Sequence, residues 1–172
     1  QAVITLGWET ELSRYLCVAN NVGDRKHIPN LIRAWKDADL DNAELVLWSY
    51  PTRDAINPEA QDLLGAAQSL GVTNIRFPDP YKLATGYPDA ELGLVYAASD
   101  VLLCVTKTEG FGIPIAEAQA IGIPAIVTDY EPFLEVAGAS SGDSLTVKTD
   151  SWELQQMLGG TWMPIPTHSG TV

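Results

Sequence analysis

The chain has 172 residues, 46% of them apolar and 19% charged, with a formal net charge of −12 at pH 7. That length and balance suit one globular domain with a sizeable core. The charge disfavours binding along a nucleic-acid backbone, while leaving room for a small phosphate site built from backbone N–H groups and one or two basic side chains. No apolar run approaches the roughly eighteen residues of a membrane span, and no basic-then-apolar leader opens the chain. The expected location is cytoplasmic, with allowance for peripheral membrane attachment of a longer protein.

In chain order, the first dozen residues are weakly patterned. "RYLCVANN" (14–21) reads as a buried strand running into a loop, and "HIPNLIRAWKDA" (27–38) places Ile28, Leu31, Ile32 and Trp35 at helical spacing. "AELVLWSY" (43–50) is a second strand, and 57–71 is a helix with Pro58 at its start and Gly71 at its stop. "NIRFP" (74–78) is a third strand, 89–100 a helix, and "VLLCVT" (101–106) a fourth strand. A helix over 113–121 stops at Gly122, "PAIVTD" (124–129) is a fifth strand, 132–138 a short helix, and "SLTVK" (144–148) a sixth strand. "DSWELQQML" (150–158) is expected to be a last helix.

Strand and helix alternate, and the strands are short continuous apolar runs, so both of their faces are expected to be buried. The fold class that follows is α/β: a Rossmann-like parallel sheet of about six strands with helices on both faces. Ligands in such folds bind at the carboxyl edge of the sheet, so the loops to watch are 19–27, 48–57, 78–89, 106–113 and 128–132. The expected division is a lead-in over 1–13, the Rossmann-like unit over 14–158, and an exit segment or truncated continuation over 159–172, rich in Gly, Pro and Thr. Cys17 and Cys104 lie in apolar runs and are expected to be buried free thiols. With two His and no Cys–His cluster, a structural zinc site is not expected. The five Trp are expected in core or terminal packing, not as a stacking ladder.

"TEGFGIPIAEAQAIGIPAIV" (108–127) concentrates the chemistry. Gly110 and Gly112 permit positive φ and close approach of a ligand to the backbone. Pro114 suits the first turn of a helix, and the N–H groups near Gly112 and Ile113 then form an anion site at a positive dipole end. A carboxylate on each side, Glu109 and Glu117, would repel a phosphate but suits neutral hydroxyls. A nucleotide sugar carries such hydroxyls on both flanks of its diphosphate. The plainer reading is a helix-start turn with a capping acid.

Glu109, seven residues, then Glu117 is the E-x7-E pattern of retaining glycosyltransferases with the GT-B fold. The segment 109–129 resembles the nucleotide-sugar-binding region of the large family 4 group, the glycosyl transferases group 1. The resemblance extends over roughly 14–158 through "RKHIPNLIRAW", "AELVLWS", "ELGLVYAASDVLLCVTKTEGFG" and "PFLEVAG", with Glu135 at the family's usual acid position. It implies the C-terminal, donor-binding half of an enzyme whose N-terminal half binds the acceptor. Glu109 would contact the donor sugar, and the backbone of Gly110, Phe111, Gly112 and Ile113 would hold sugar and diphosphate. Glu117 would bind the ribose, and Lys26, helped by Arg25, would neutralise the diphosphate. Glu109 and Lys26 would be the catalytic pair, and the loop near Arg76 and Phe77 would lie by the base. The resemblance implies no metal and no cofactor beyond a UDP- or GDP-linked sugar donor. The acceptor would be a glycan or lipid-linked sugar.

The chain departs from the family at Asn20, where a basic residue is common, and at His27, where Gly is usual. Asn20 can hydrogen-bond a phosphate but not neutralise it. The alternatives carried alongside are a non-catalytic nucleotide-binding or scaffold module derived from a GT-B half, and a nucleotide-sugar epimerase.

Overall fold

The computed structural model describes residues 1–55, 57–139 and 145–147, together with the backbone of 151–156 and 162–167. Its elements are α1 (Ala2–Thr5), β1 (Ser13–Val18), α2 (Ile28–Ala38), β2 (Ala43–Trp48), α3 (Leu63–Ser69), β3 (Ile75–Arg76), α4 (Pro80–Thr85) and α5 (Asp89–Ala97). There follow β4 (Val101–Cys104), α6 (Ile113–Ile121), β5 (Ala125–Thr128), α7 (Glu131–Ala137), β6 (Thr146–Val147), β7 (Ser151–Gln156) and β8 (Trp162–Thr167).

The first six strands form one sheet in the order β3-β2-β1-β4-β5-β6, and every pairing in it is parallel. This is the α/β arrangement expected from continuous apolar strands. Alternate strand residues feed two cores. Cys17, Leu45, Leu47 and Leu103 join Ile28, Leu31, Ile32 and Trp35 of α2 and Leu63 and Ala67 of α3. Leu16, Val46, Leu102 and Val127 join Val95 and Tyr96 of α5, Ile115 and Ala118 of α6 and Phe133 of α7. Each such side chain, fully buried, contributes roughly 1.5–3 kcal/mol, which is why the period-3.6 stripe of α2 locates that helix so well.

The order of the sheet creates a switch point. From β1 the chain winds outward to β2 and β3; from β4 it winds the other way to β5 and β6. The loops leaving β1 and β4 therefore serve oppositely wound halves and meet at the carboxyl edge, the place where folds of this class bind ligands.

Three expectations need correction. The expected helix over 150–158 is instead strand β7, paired antiparallel with β8 so that Trp152 faces Pro166 and Leu154 faces Pro164. Ser-Trp-Glu-Leu-Gln alternates polar and apolar residues, a period-2 signal that outweighs the helix propensity of Glu, Leu and Gln. Prolines are tolerated in β8 because a two-stranded sheet has only edge strands. The expected helix over 57–71 begins only at Leu63, where the Asp62 side chain accepts from the Gly65 N–H at 2.9 Å. Its first residues are held off the helix by Asn21, whose amide donates to the Gln61 carbonyl at 2.7 Å while its oxygen accepts from the Gln61 N–H at 3.1 Å. The loop after β3 carries an unforeseen helix, α4, capped by Asp79. The lead-in is ordered into α1, and Leu6 and Trp8 pack against the second core.

Both cysteines are buried and free. Burial, the largest cause for each, pushes both thiols up to about 12. Trp35 is a core residue set edge-on to Tyr15, and Trp48 packs against Tyr87 at a tilt of 58°, ring centroids 4.7 Å apart. The packing expected of Trp152 and Trp162, and the expected boundary at 158, lie outside the described residues. No helix among the described residues is long and apolar enough to cross a membrane.

Candidate functional site

The loops after β1 and β4 are tied to each other at the switch point. The Lys107 N–H donates to the Arg25 carbonyl at 2.9 Å, and Lys107 Nζ, on a buried side chain, donates to Asp24 Oδ2 at 2.5 Å. In the other direction an Arg25 guanidinium nitrogen donates to the Thr108 carbonyl at 3.0 Å and to Glu109 Oε2 at 3.2 Å. Lys26 Nζ also pairs with Glu109 Oε2. Two buried threonines stiffen the floor: Thr128 Oγ1 donates to the Thr106 carbonyl and Thr106 Oγ1 to the Thr108 carbonyl, each at 2.9 Å.

Glu109 thus faces two cations with one carboxylate, leaving the trio one positive charge in excess. Burial pushes the Glu109 carboxyl up, but the hydrogen bond and charge of Lys26, with Arg25 behind it, outweigh burial and hold it below its ordinary value. It is an ionised acceptor at neutral pH. The Lys26 side chain is 10% exposed and that of Arg25 38%, so the cluster is largely buried on the Lys26 side and open on the Arg25 side.

The β4 loop then enters α6. Gly112 is its N-cap with φ 82°, and a Cβ built there would lie 3.0 Å from Ile115 Cδ1. Only glycine meets both demands comfortably. Of the two glycines read as candidates for positive φ, Gly112 adopts it and Gly110 does not. Pro114 lies in the first turn as expected, and the Ile113 N–H, at the first helical position, has no intrahelical acceptor. Phe111 and Ile113 flank this turn with side chains 58% and 63% exposed.

Glu117 lies one turn further along α6, half-buried, and accepts a hydrogen bond of 2.5 Å from the Tyr96 hydroxyl of α5. Nothing in the sequence links residues 96 and 117. The one available signal is general: a tyrosine buried on a helix needs a partner for its hydroxyl. Asp24, which holds Lys107, was likewise invisible as a loop carboxylate of no particular motif.

The remaining candidates separate. Asn20 is exposed on the β1 loop, whereas its neighbour Asn21 is buried and donates to the carbonyls of Tyr50 and Gln61. Phe77 packs at the margin of the first core. Arg76 is not brought into the cluster; it pairs with Glu44 at 2.7 Å and lies over the Trp8 ring. Glu135 is exposed on α7. His27, where the resemblance leads one to expect Gly, caps α2 with φ 53°, a left-handed conformation natural to glycine and costing another residue about 1–2 kcal/mol.

The family model described as Glycosyl transferases group 1 matches residues 9–156. The chain belongs to this family. Among curated relatives, it is 34% identical over 89 residues to the O-antigen chain mannosyltransferase B of Escherichia coli. That match spans 49% of this chain and 23% of the relative. Among solved structures, it superposes on sucrose-phosphate synthase from Thermosynechococcus elongatus with a TM-score of 0.64 at 21% identity, covering 78% of this chain and 32% of that one. The C-terminal domain of a glycosyl transferase group 1 family protein from Francisella tularensis superposes with a TM-score of 0.60 at 20% identity, over 81% of this chain and 71% of that domain. At these identities the structural likeness shows the fold, a Rossmann-like unit of the kind found as one half of GT-B glycosyltransferases.

Proposed function

We propose that this chain is the donor-binding half of a retaining glycosyltransferase, holding a nucleotide-diphosphate sugar, linked to UDP or GDP, at the switch point between the β1 and β4 loops. The observation that carries the reading is the pairing of Glu109 with Lys26 and Arg25 immediately before a helix N-terminus that presents Gly112 and Ile113. Lys26 and Arg25 take the diphosphate, helped by the positive end of α6. The backbone from Gly110 to Ile113 holds the sugar–diphosphate junction, with Phe111 exposed beside it. Glu109, ionised, accepts from hydroxyls of the donor sugar, and Glu117 accepts from the ribose. Asn20 adds a neutral contact to the phosphates. Phe77 and the loop after β3 lie toward the base, whereas Arg76 reaches it only by leaving Glu44.

In this reading the diphosphate leaves as the sugar passes to a hydroxyl of a glycan or lipid-linked acceptor with its anomeric configuration retained, without a metal ion. The work of the residues is positioning and stabilising the charge that develops on the leaving group. The donor-binding unit is taken as 14–158, with 1–13 as lead-in and 159–172 as exit segment. The family match favours neither the scaffold nor the epimerase alternative.

The test is calorimetric titration of UDP, GDP and ADP into the chain without metal. Saturable binding of one nucleotide is expected, and Glu117→Ala should weaken it by roughly tenfold, the size of a lost charge-assisted hydrogen bond. A folded chain that binds none of the three at millimolar concentration would overturn the reading.

A further inference from the structure

Glu117 lies on the helix that begins at the Gly112 turn, and its Oε2 is already engaged by Tyr96. The Tyr96 ring is 1% exposed among Val95, Leu102, Ile115 and Ala118 in the second core. A ring so enclosed has little choice of rotamer, so its hydroxyl is a fixed point. It lies on α5, a different element from the carboxylate it contacts, so the bond joins two helices packed on one face of the sheet.

We propose that Tyr96 is a positioning residue for the nucleotide: its buried hydroxyl holds Glu117 Oε2 and thereby presents the rest of the carboxylate to the two hydroxyls of the ribose. This rests on the donor-site reading given above. An ionised carboxylate has about four acceptor positions, so the bond from Tyr96 leaves most of them available. A free Glu side chain loses considerable rotamer freedom when a ligand orders it. Holding it in place beforehand removes that cost from the binding step. Burial first, and the Glu117 carboxylate second, push the Tyr96 phenol above its ordinary value, so it remains a donor throughout the physiological range.

The test separates ribose recognition from general stability. Whichever of UDP, GDP and ADP binds is compared with its dideoxyribose analogue, which lacks both ribose hydroxyls, in the wild-type chain, Tyr96→Phe and Glu117→Gln. The wild type is expected to prefer the ribonucleotide about tenfold. Tyr96→Phe should cut that preference roughly fivefold, the scale of one hydrogen bond, while leaving affinity for the dideoxy analogue unchanged. Equal weakening of both ligands, or an unchanged preference, would overturn the positioning role. If Glu117→Gln abolishes the preference while Tyr96→Phe retains it, the donor site stands and the role of Tyr96 falls. No binding by the folded wild type removes both. Should Tyr96→Phe fail to fold, replacement of Tyr96 by p-aminophenylalanine, which keeps a weaker donor in the same space, must give an intermediate preference; a wild-type preference would overturn the proposal.

Discussion

Two places in this fold put two cations around one carboxylate, and they differ in what surrounds them. At the amino end of the sheet, Arg14 Nε donates to Glu44 Oε2 at 3.2 Å and Arg76 pairs with Glu44 Oε1 at 2.7 Å. Arg14 is 1% exposed, donates to the carbonyls of Glu9 and Leu12, and together with Arg76 lies over the Trp8 ring. Its own backbone N–H donates to Asp100 Oδ2 at 2.7 Å. The Arg14 guanidinium is enclosed by the chain itself, whereas the Arg76 side chain stays 36% exposed. At the carboxyl edge, Arg25 and Lys26 share a single oxygen of Glu109 across two loops, with the Arg25 side open to solvent. The same charge count surrounds a fully buried arginine where strands and Trp8 pack around it; on the donor-site reading proposed above, it serves an anion where loops from opposite windings of the sheet leave Arg25 open.

The contrast is broken most forcefully at the enclosed cluster. Glu44→Ala leaves the Arg14 charge buried without its carboxylate and is expected to destabilise the chain by about 3 kcal/mol, read from urea unfolding. Nucleotide affinity in the surviving folded fraction should not fall, because the substitution touches none of the proposed phosphate or ribose contacts and frees Arg76 from Glu44. A loss below about 1 kcal/mol would mean that the enclosed cluster is no more structural than the open one.

A smaller effect is expected where backbone, not charge, shapes the open site. Gly112→Ala forces a side chain into the left-handed N-cap of α6 against Ile115 and should cost about 1–2 kcal/mol in the same unfolding experiment. Nucleotide binding should be lost along with it, because the turn that presents the Ile113 N–H shifts. Retained affinity would detach the turn from the anion site.

The smallest stability change belongs to Glu109→Gln. The pair is partly exposed, so the loss should stay under about 1 kcal/mol after solvent screening. Its sign with pH follows from the lowered folded-state value. The stabilisation is complete above the ordinary carboxylate value of 4.5 and disappears as pH falls through the lower folded value. The Tm gap between wild type and Glu109→Gln should therefore close on acidification through that window. The substitution also releases Lys26 and Arg25, so inorganic diphosphate should bind roughly threefold more tightly. Weaker diphosphate binding would mean that these cations do not serve an anion.

Much of this was legible in the residues, element by element. The apolar stripe of α2 and the uninterrupted run of β2 announce a buried helix and a two-sided strand, because burial is decided by local periodicity. The turn before α6 was legible for a related reason: glycine and proline state their backbone demands wherever they stand. The hairpin of β7 and β8 was misread where a short period-2 alternation competes with good helix formers. The late start of α3 could not be seen, because it depends on Asn21 reaching residue 61 from another loop.

The sequence by itself therefore determined the alternation of strand and helix, the parallel sheet and the glycine–proline turn between Glu109 and Glu117. All of these are carried by neighbours along the chain. Only the tertiary structure decided which cations meet which acids. Arg76 and Arg25 are alike as residues. One rests over Trp8 beside Glu44, while the other leans across a switch point toward Glu109. Tyr96 and Glu117 were brought within hydrogen-bond reach by the packing of helices on one face of the sheet. Side-chain partnerships over such separations depend on where the strands lie in the sheet, and that order is a property of the folded chain as a whole.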